Sequence, residues 1–248
     1  MTALTPRLHL HLLGGFELRL GDEVVTITIG PQRLAAFLAL HEGRLPRTHV
    51  AGVLWPEVPT RRANANLRAA LWRLPPTCRR LIHVSAHHLQ LAAGAVVDLH
   101  ATVALARRLL DRSERCQNDD LGGTAREDLS RDLLPTWYDD DWVLAEREQF
   151  HHLRLHALEA LCDRLTTAGR YGEAVDAGLA AVLAEPLRES AHRVLIKAHI
   201  AEGNYGEASR QYQVCRHVLL DELGVEPSAR VRDLLLHEVG VLAAITPK

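Results

Sequence analysis

The chain has 248 residues, 47% of them apolar, which gives room for two modest domains with substantial cores. It contains no run of 18 or more apolar residues, so no membrane-spanning helix is expected, and the N-terminal MTALTPRLHLHLLGG lacks the basic region and apolar run of a signal peptide. The formal charge of −2 conceals an asymmetry: residues 1–97 hold 11 arginines against 5 acids, a net +6, and residues 98–248 a net −8, as expected of a polyanion-binding module joined to a protein-contact module.

The chain opens with β patterns. Leu8, Leu10 and Leu12 alternate with His9 and His11, Phe16, Leu18 and Leu20 with Glu17 and Arg19, and Val25, Ile27 and Ile29 with Thr26 and Thr28. Gly14-Gly15 and Gly21-Asp22 supply turns, so a small antiparallel meander with one buried face is predicted. His9 and His11 have ligand chemistry, but alternation with leucines puts them on the solvent side. Gly30-Pro31 ends the meander, and Pro31 suits the first position of a helix over PQRLAAFLALH. A second helix takes Thr48 as its N-cap and Val50, Val53 and Leu54 as its apolar face, and Pro56 stops it.

After the loop Pro56 to Thr60 comes Arg61 to Leu74, RRANANLRAALWRL. Leu67, Leu71 and Leu74 form an apolar stripe, with Ala63 and Ala70 beside it. Asn66, Ala69 and Arg73 are expected to point the other way, with Arg62 and Arg68 on the flanks. Such a face suits a major groove, because Arg can bind guanine bidentately, Asn can bind adenine, and Ala can touch a thymine methyl. Asn66 and Arg68 are the base-edge candidates, Ala65 and Ala69 the methyl contacts, and Arg61, Arg62 and Arg73 the phosphate contacts. Asn64 can face either way. A solvated amphipathic surface helix is the other reading of the same pattern. Pro75-Pro76 breaks the helix, and LIHV (81–84), SAHH (85–88) and LQLA (89–92) make a hairpin whose His87 and His88 can bond phosphate. Helix, helix, loop, helix and hairpin make a winged helix-turn-helix.

Residues 98–248 contain no convincing strand. Asp98 can cap a helix through Leu110, SERCQNDDLGGT (113–124) reads as a loop, and a short helix is expected near 125–133. In LLPTWYDDDWV, the aromatics Trp137, Tyr138 and Trp142 surround Asp139, Asp140 and Asp141, either as a binding surface or as helix packing. Glu146 to Ala168 reads as a long helix. Gly169, Tyr171, Gly172, Glu173 and Ala174 then recur 34 residues on as Gly203, Tyr205, Gly206, Glu207 and Ala208, the tetratricopeptide (TPR) period. Gly gives the tight exit from a helix, Tyr packs in the elbow, and Ala lets helices approach. Glu185-Pro186 and Glu226-Pro227 are expected to restart helices with Pro near the first position, and a last helix is expected from Ser228 to Ala244.

No motif for catalysis stands out: GxGxxG, HExxH, GxSxG and the P-loop are absent. Neither an enzyme nor a cofactor is expected. Glu148, His152 and His156 share a helix face, but two turns span about 12 Å, too far for all three to meet one ion at about 2.1 Å. Cys78, Cys116, Cys162 and Cys215 are scattered and read as free thiols in a reducing cytoplasm.

Two blocks carry a family resemblance. LGGFELRLGDEVV, PQRLAAFLALH and VAGVLWPEVPTRRANANLRAALWRL resemble the OmpR-type winged helix, and more specifically that of the Streptomyces antibiotic regulatory protein (SARP) family. LLPTWYDDDWV, LRLHALEALCDRL, AGRYGEAV, EPLRESAHRVLIKAHIAEGNYGEASRQY and DELGVEPS resemble the TPR-like bacterial transcriptional activator domain that follows it. The resemblance covers roughly residues 8 to 240. It implies a mainly α protein with a small antiparallel β part: a winged-helix DNA-binding domain over 1–97 and an all-α TPR-like domain over 98–248. Without a P-loop or receiver pattern, no ATPase or receiver region of larger relatives is expected here.

The family's function is then the expectation: a cytoplasmic, nucleoid-associated activator. It binds double-stranded promoter DNA as a homodimer on direct repeats near a −35 element and recruits RNA polymerase through its sigma factor. The resemblance implies that Pro56, Glu57, Val58, Pro59 and Thr60 contact the polymerase, and that the regulated genes make a secondary metabolite. The wing tip departs from the family pattern, with Ser85-Ala86-His87-His88 where Arg and Gly are usual. An alternative from another class stays open: a TPR-like adaptor or effector sensor that binds DNA weakly, which would leave the positive charge scattered.

Overall fold

The structure of the protein, a computed structural model, describes residues 6–111, 121–138 and 140–235. They form two compact units. The first comprises the described residues up to Ala101 together with Asp132–Phe150, and the second comprises Thr102–Arg131 and the described residues from His151.

The first unit runs β1 (Leu8–His11), β2 (Glu17–Leu20), β3 (Glu23–Val24), α1 (Ile29–Leu40), β4 (Leu45–Pro46), α2 (Arg47–Leu54), α3 (Thr60–Arg73), a 3-10 turn (Pro76–Leu81), β5 (Ile82–Val84), β6 (His88–Leu91) and β7 (Val96–Val97). It also holds the start of α4 (Asp98–Leu110) and of α6 (Asp141–Thr167). One sheet has the order β3-β2-β1-β7, antiparallel except for β7, which lies parallel to β1. The wing sheet has the order β4-β6-β5, with Ile82 opposite Leu91 and Val84 opposite Leu89.

Helix α1 is the hub of this unit. Leu34 through Ala39 are all buried, as a helix apolar on every side must be, and α1 touches α2, α3 and β6. The expected third strand is shorter and earlier than its alternation suggests. Only Glu23–Val24 pair with β2, and Ile29 already begins α1. Pro31 is therefore the third helical residue, still in the first turn, where no intrahelical N–H is lost. Thr48 likewise lies inside α2, whose N-cap is Pro46.

The segment Asp132–Phe150 folds into this unit as well. Gly14 N–H donates to Asp132 O (2.7 Å) and Leu134 N–H to Leu12 O (2.9 Å). Arg147 donates to the carbonyls of Leu133, Leu134 and Trp137, which ties down a loop containing Leu134 at φ 43°. Trp137 stacks on Phe16 at 5.9 Å, and Trp142 meets Phe37 edge-on at 5.3 Å. The indole N–H of Trp142 donates to Asp140 Oδ1, which also receives Arg33 at 2.6 Å. Two of the three aromatics are thus packed, while Tyr138 stays 74% exposed with Arg147 over its ring; Asp139 lies outside the described residues. Asp98, the first residue of α4, accepts the Leu12, Leu13 and Leu99 N–H groups, which fixes the end of β1 to the start of the helix and puts a carboxylate in its first turn.

The second unit contains the rest of α4 and of α6 together with α5 (Gly123–Ser130), α7 (Tyr171–Ala184), α8 (Glu189–Glu202) and α9 (Tyr205–Leu223). Residues 229–235 are helical again; the expected continuation to Ala244, and the loop residues 113–120, lie outside the described residues. The repeat positions work as their chemistry demands. Gly169 and Gly203 adopt φ +74° and +88° at the exits of α6 and α8, and Ala174 and Ala208 are fully buried. Gly178 sits against Leu195, where an added Cβ would lie 3.1 Å from that side chain. Pro186 does not open α8, because a turn through Arg188 intervenes and the helix begins at Glu189.

Candidate nucleic-acid interface

Helix α3 buries Ala63, Leu67, Ala70 and Leu74 against the unit and packs on α1 and α2. At about 100° per residue, the opposite face is Arg61, Ala65, Arg68 and Trp72, and all four are exposed. This corrects the expected rotation. Asn66 and Ala69 are half-buried on the flanks, Leu71 is half-buried rather than core, and Arg62 and Arg73 are exposed at the edges. The rotation is set by the two alanines: Ala63 and Ala70 let α3 approach closely, so they, not Leu71, define the buried line. Asn64 donates its Nδ2 to Thr60 O at 2.9 Å, so its amide is partly engaged by its own helix.

The charge around α3 is one-sided. Residues 43–97 contain eight arginines and a single acid, Glu57, a net +7, whereas residues 1–42 carry a net −1. Arg19 is held by Glu17 and Arg33 by Asp140. Arg61, Arg62, Arg68 and Arg73 have no acidic partner among the described residues. Arg79 and Arg80 are exposed on the following 3-10 turn, and Arg80 donates to Pro6 O.

The wing tip is a tight turn. Ser85 N–H donates to His88 O, and His88 N–H to Ser85 Oγ at 3.0 Å. His83, His87 and His88 are exposed. The expectation that the wing lacks an arginine needs revision in three dimensions. Arg47, the first residue of α2, donates its backbone N–H to His87 O and its guanidinium to Ser85 O (3.4 Å). Arg44 lines a shallow depression with His83, Ser85 and His88. The two arginines flank strand β4, Arg44 just before it and Arg47 just after it, and their signal was the pairing of β4 with β6, too short to see in the sequence.

In the loop before α3, Pro56, Glu57 and Pro59 are exposed and Val58 is half-buried. Thr60 is exposed too, but it is already the first residue of α3, with Pro59 as N-cap. Among the described residues, no group of three or more His, Cys, Asp or Glu is placed to hold a metal ion, and no helix is long and apolar enough to cross a membrane.

A winged helix with an outward-facing basic third helix, in a chain that also carries TPR-like helix hairpins, is the build of a bacterial transcription regulator. The sequence profile of the bacterial transcriptional activator domain matches residues 96–237. The chain belongs to that family and is of the SARP type. It is 32% identical over 230 residues to Regulatory protein AfsR of Streptomyces coelicolor, covering 86% of this chain and 22% of that one. It is 29% identical to Regulatory protein AfsR of Streptomyces griseus, covering 94% and 24%. The chain thus spans about a quarter of the length of the curated relatives it matches. Its fold is that of Mycobacterium tuberculosis EmbR, solved with a low-affinity phosphopeptide, with a TM-score of 0.71 at 18% identity over 98% of this chain and 67% of that one.

Proposed function

We propose that the protein is a cytoplasmic, sequence-specific DNA-binding activator that sits as two protomers on direct repeats near a promoter −35 element and recruits RNA polymerase through its sigma factor. In this reading residues 1–97 bind DNA, residues 98–248 are the activator domain, and the target genes form a secondary-metabolite cluster. Arg68 is the main base reader, Arg61 and Arg62 grip phosphates at the start of α3 and Arg73 at its end, and His87 and His88 touch the backbone from the wing. Asn64 and Asn66 serve as flanking contacts.

The observation that carries this reading is the confinement of the net positive charge to residues 43–97, on and around α3 and the wing. An adaptor would leave that charge scattered. A focused positive surface raises the local concentration of a polyanion and speeds encounter. The polymerase contact is assigned to Pro56–Thr60, an exposed loop whose Glu57 is the lone acid of the basic segment.

Footprinting on neighbouring promoters, followed by run-off transcription with purified RNA polymerase, tests the proposal. The expected result is protection of a direct repeat and more transcript from that promoter. Glu57→Ala should keep the footprint and lose transcript. Protection without any stimulation would remove the activator assignment, and no selective protection would remove the DNA-reading assignment.

A further inference from the structure

Trp72 lies on the stripe that α3 turns outward and is 76% exposed. Such exposure is a cost for a side chain with this much apolar surface, and it asks for a partner that covers it. Its surroundings describe that partner. On α3 the exposed neighbours of Trp72 are Arg68, one turn back, and Arg73, and the helix carries no acid. A protein partner that buried the indole would need an apolar surround, because a stable interface covers about 800 Å² per partner around a desolvated apolar centre. The exposed stripe on α3 offers one indole among arginines instead. Duplex DNA fits both properties: its phosphates match the guanidiniums, and its deoxyribose edge is an apolar surface beside them.

The position along the helix assigns the contact. From Arg61 to Trp72 the stripe runs about 16 Å at 1.5 Å per residue, roughly five base-pair steps at 3.4 Å. Arg68 lies inside this span and Trp72 at its end, where the helix meets the rim of the groove. We infer that Trp72 is a DNA-contacting residue that packs its indole on a deoxyribose and donates its Nε1–H to a phosphate oxygen. This inference rests on the DNA-reading role proposed for α3. It adds a backbone anchor at the C-terminal end of the reading helix, a position where arginine alone marks binding in the sequence.

The chain has four tryptophans, Trp55, Trp72, Trp137 and Trp142, and Trp72 is the one with large exposure. Titrating the full chain with promoter duplex should therefore change the tryptophan emission, and Trp72→Phe should abolish most of that change. In anisotropy with labelled duplexes, Trp72→Ala should weaken promoter and random DNA by a similar factor, roughly tenfold for a lost charge-assisted hydrogen bond. Thermal melting of both variants should match the parent chain. The inference is overturned if Trp72→Phe retains the full emission change, or if Trp72→Ala binds both duplexes like the parent. A parent chain that binds neither duplex overturns the DNA-reading role itself, and this inference with it.

Discussion

The arginines of α3 and those of the repeat helices are the same side chain put to opposite uses. In the second unit several of them are occupied. Arg188 Nε donates to Glu159 Oε1 at 2.5 Å, and Ser190 Oγ donates to the same oxygen. Arg216 forks onto Glu226, and Arg170 onto Glu173; these exposed pairs draw the two carboxylates below their ordinary range through the guanidinium hydrogen bonds. On α3 no such partner exists among the described residues. A surface that leaves four arginines unneutralised on one helix accepts mutual repulsion, which an external polyanion relieves. A surface that ties arginines to neighbouring carboxylates instead becomes rigid. The difference separates a reading surface from a scaffold.

Substitutions can break that comparison. The largest effect is expected at the scaffold. Gly178→Val forces methyl groups into the contact with Leu195 and Cys162 and should lower unfolding stability by about 3 kcal/mol, measured by denaturant titration. Arg188→Ala strands Glu159, which is largely buried, and should cost about 2 kcal/mol. DNA affinity per folded molecule should not change in either case. Arg62→Ala should do the reverse: stability within about 0.5 kcal/mol, weaker binding to promoter and random duplex alike, and a salt slope shallower by about 0.9. Equal stability losses at Arg62 and Arg188 would erase the distinction.

The smallest expected effect is a pH dependence inside the scaffold. His192 is 1% exposed, donates from Nε2 to Pro186 O and accepts at Nδ1 from Gln211. Burial holds its pKa below the ordinary value, with the Pro186 hydrogen bond and Glu189 opposing. The unfolded chain therefore takes up the His192 proton first as pH falls below about 6.5. Its contribution to stability is present above that pH and is lost on going down through the folded pKa. Urea midpoints should fall from pH 7 to 5.5 by more in the parent chain than in His192→Gln; an equal fall would show that His192 does not drive it. Burial also raises the Cys162 thiol to about 12 and Cys215 to about 11, so both should resist alkylation until the protein unfolds.

Much of this fold was legible because it rests on periodicity. The 34-residue recurrence names its own glycines and alanines, and the Gly169/Gly203 pair and the buried alanines take the roles their chemistry suggests. The helix order of the winged module was legible for the same reason. Features resting on two or three residues were not. β4 and β7 are two residues each, too short for alternation, and β4 is what brings Arg44 and Arg47 to the wing. The folding of Asp132–Phe150 into the first unit depends on aromatic stacking across more than 100 residues of chain, which no local pattern records. On α3 the helix itself was legible but its rotation was not. Counting leucines favours Leu71 as core, whereas the closer packing at Ala63 and Ala70 turns Trp72 outward and Asn66 aside.

The central claim is that α3 reads sequence through Arg68 on top of a sequence-blind electrostatic grip. The affinity of the chain and of Arg68→Ala for promoter and random duplexes, each measured across a salt series, tests it most directly. The account predicts a steep fall in affinity with salt for both duplexes, a constant offset in favour of the promoter, and loss of about 1–3 kcal/mol of that offset in Arg68→Ala on the promoter alone. Equal affinity for the two duplexes in the parent chain, unchanged by Arg68→Ala, would contradict it.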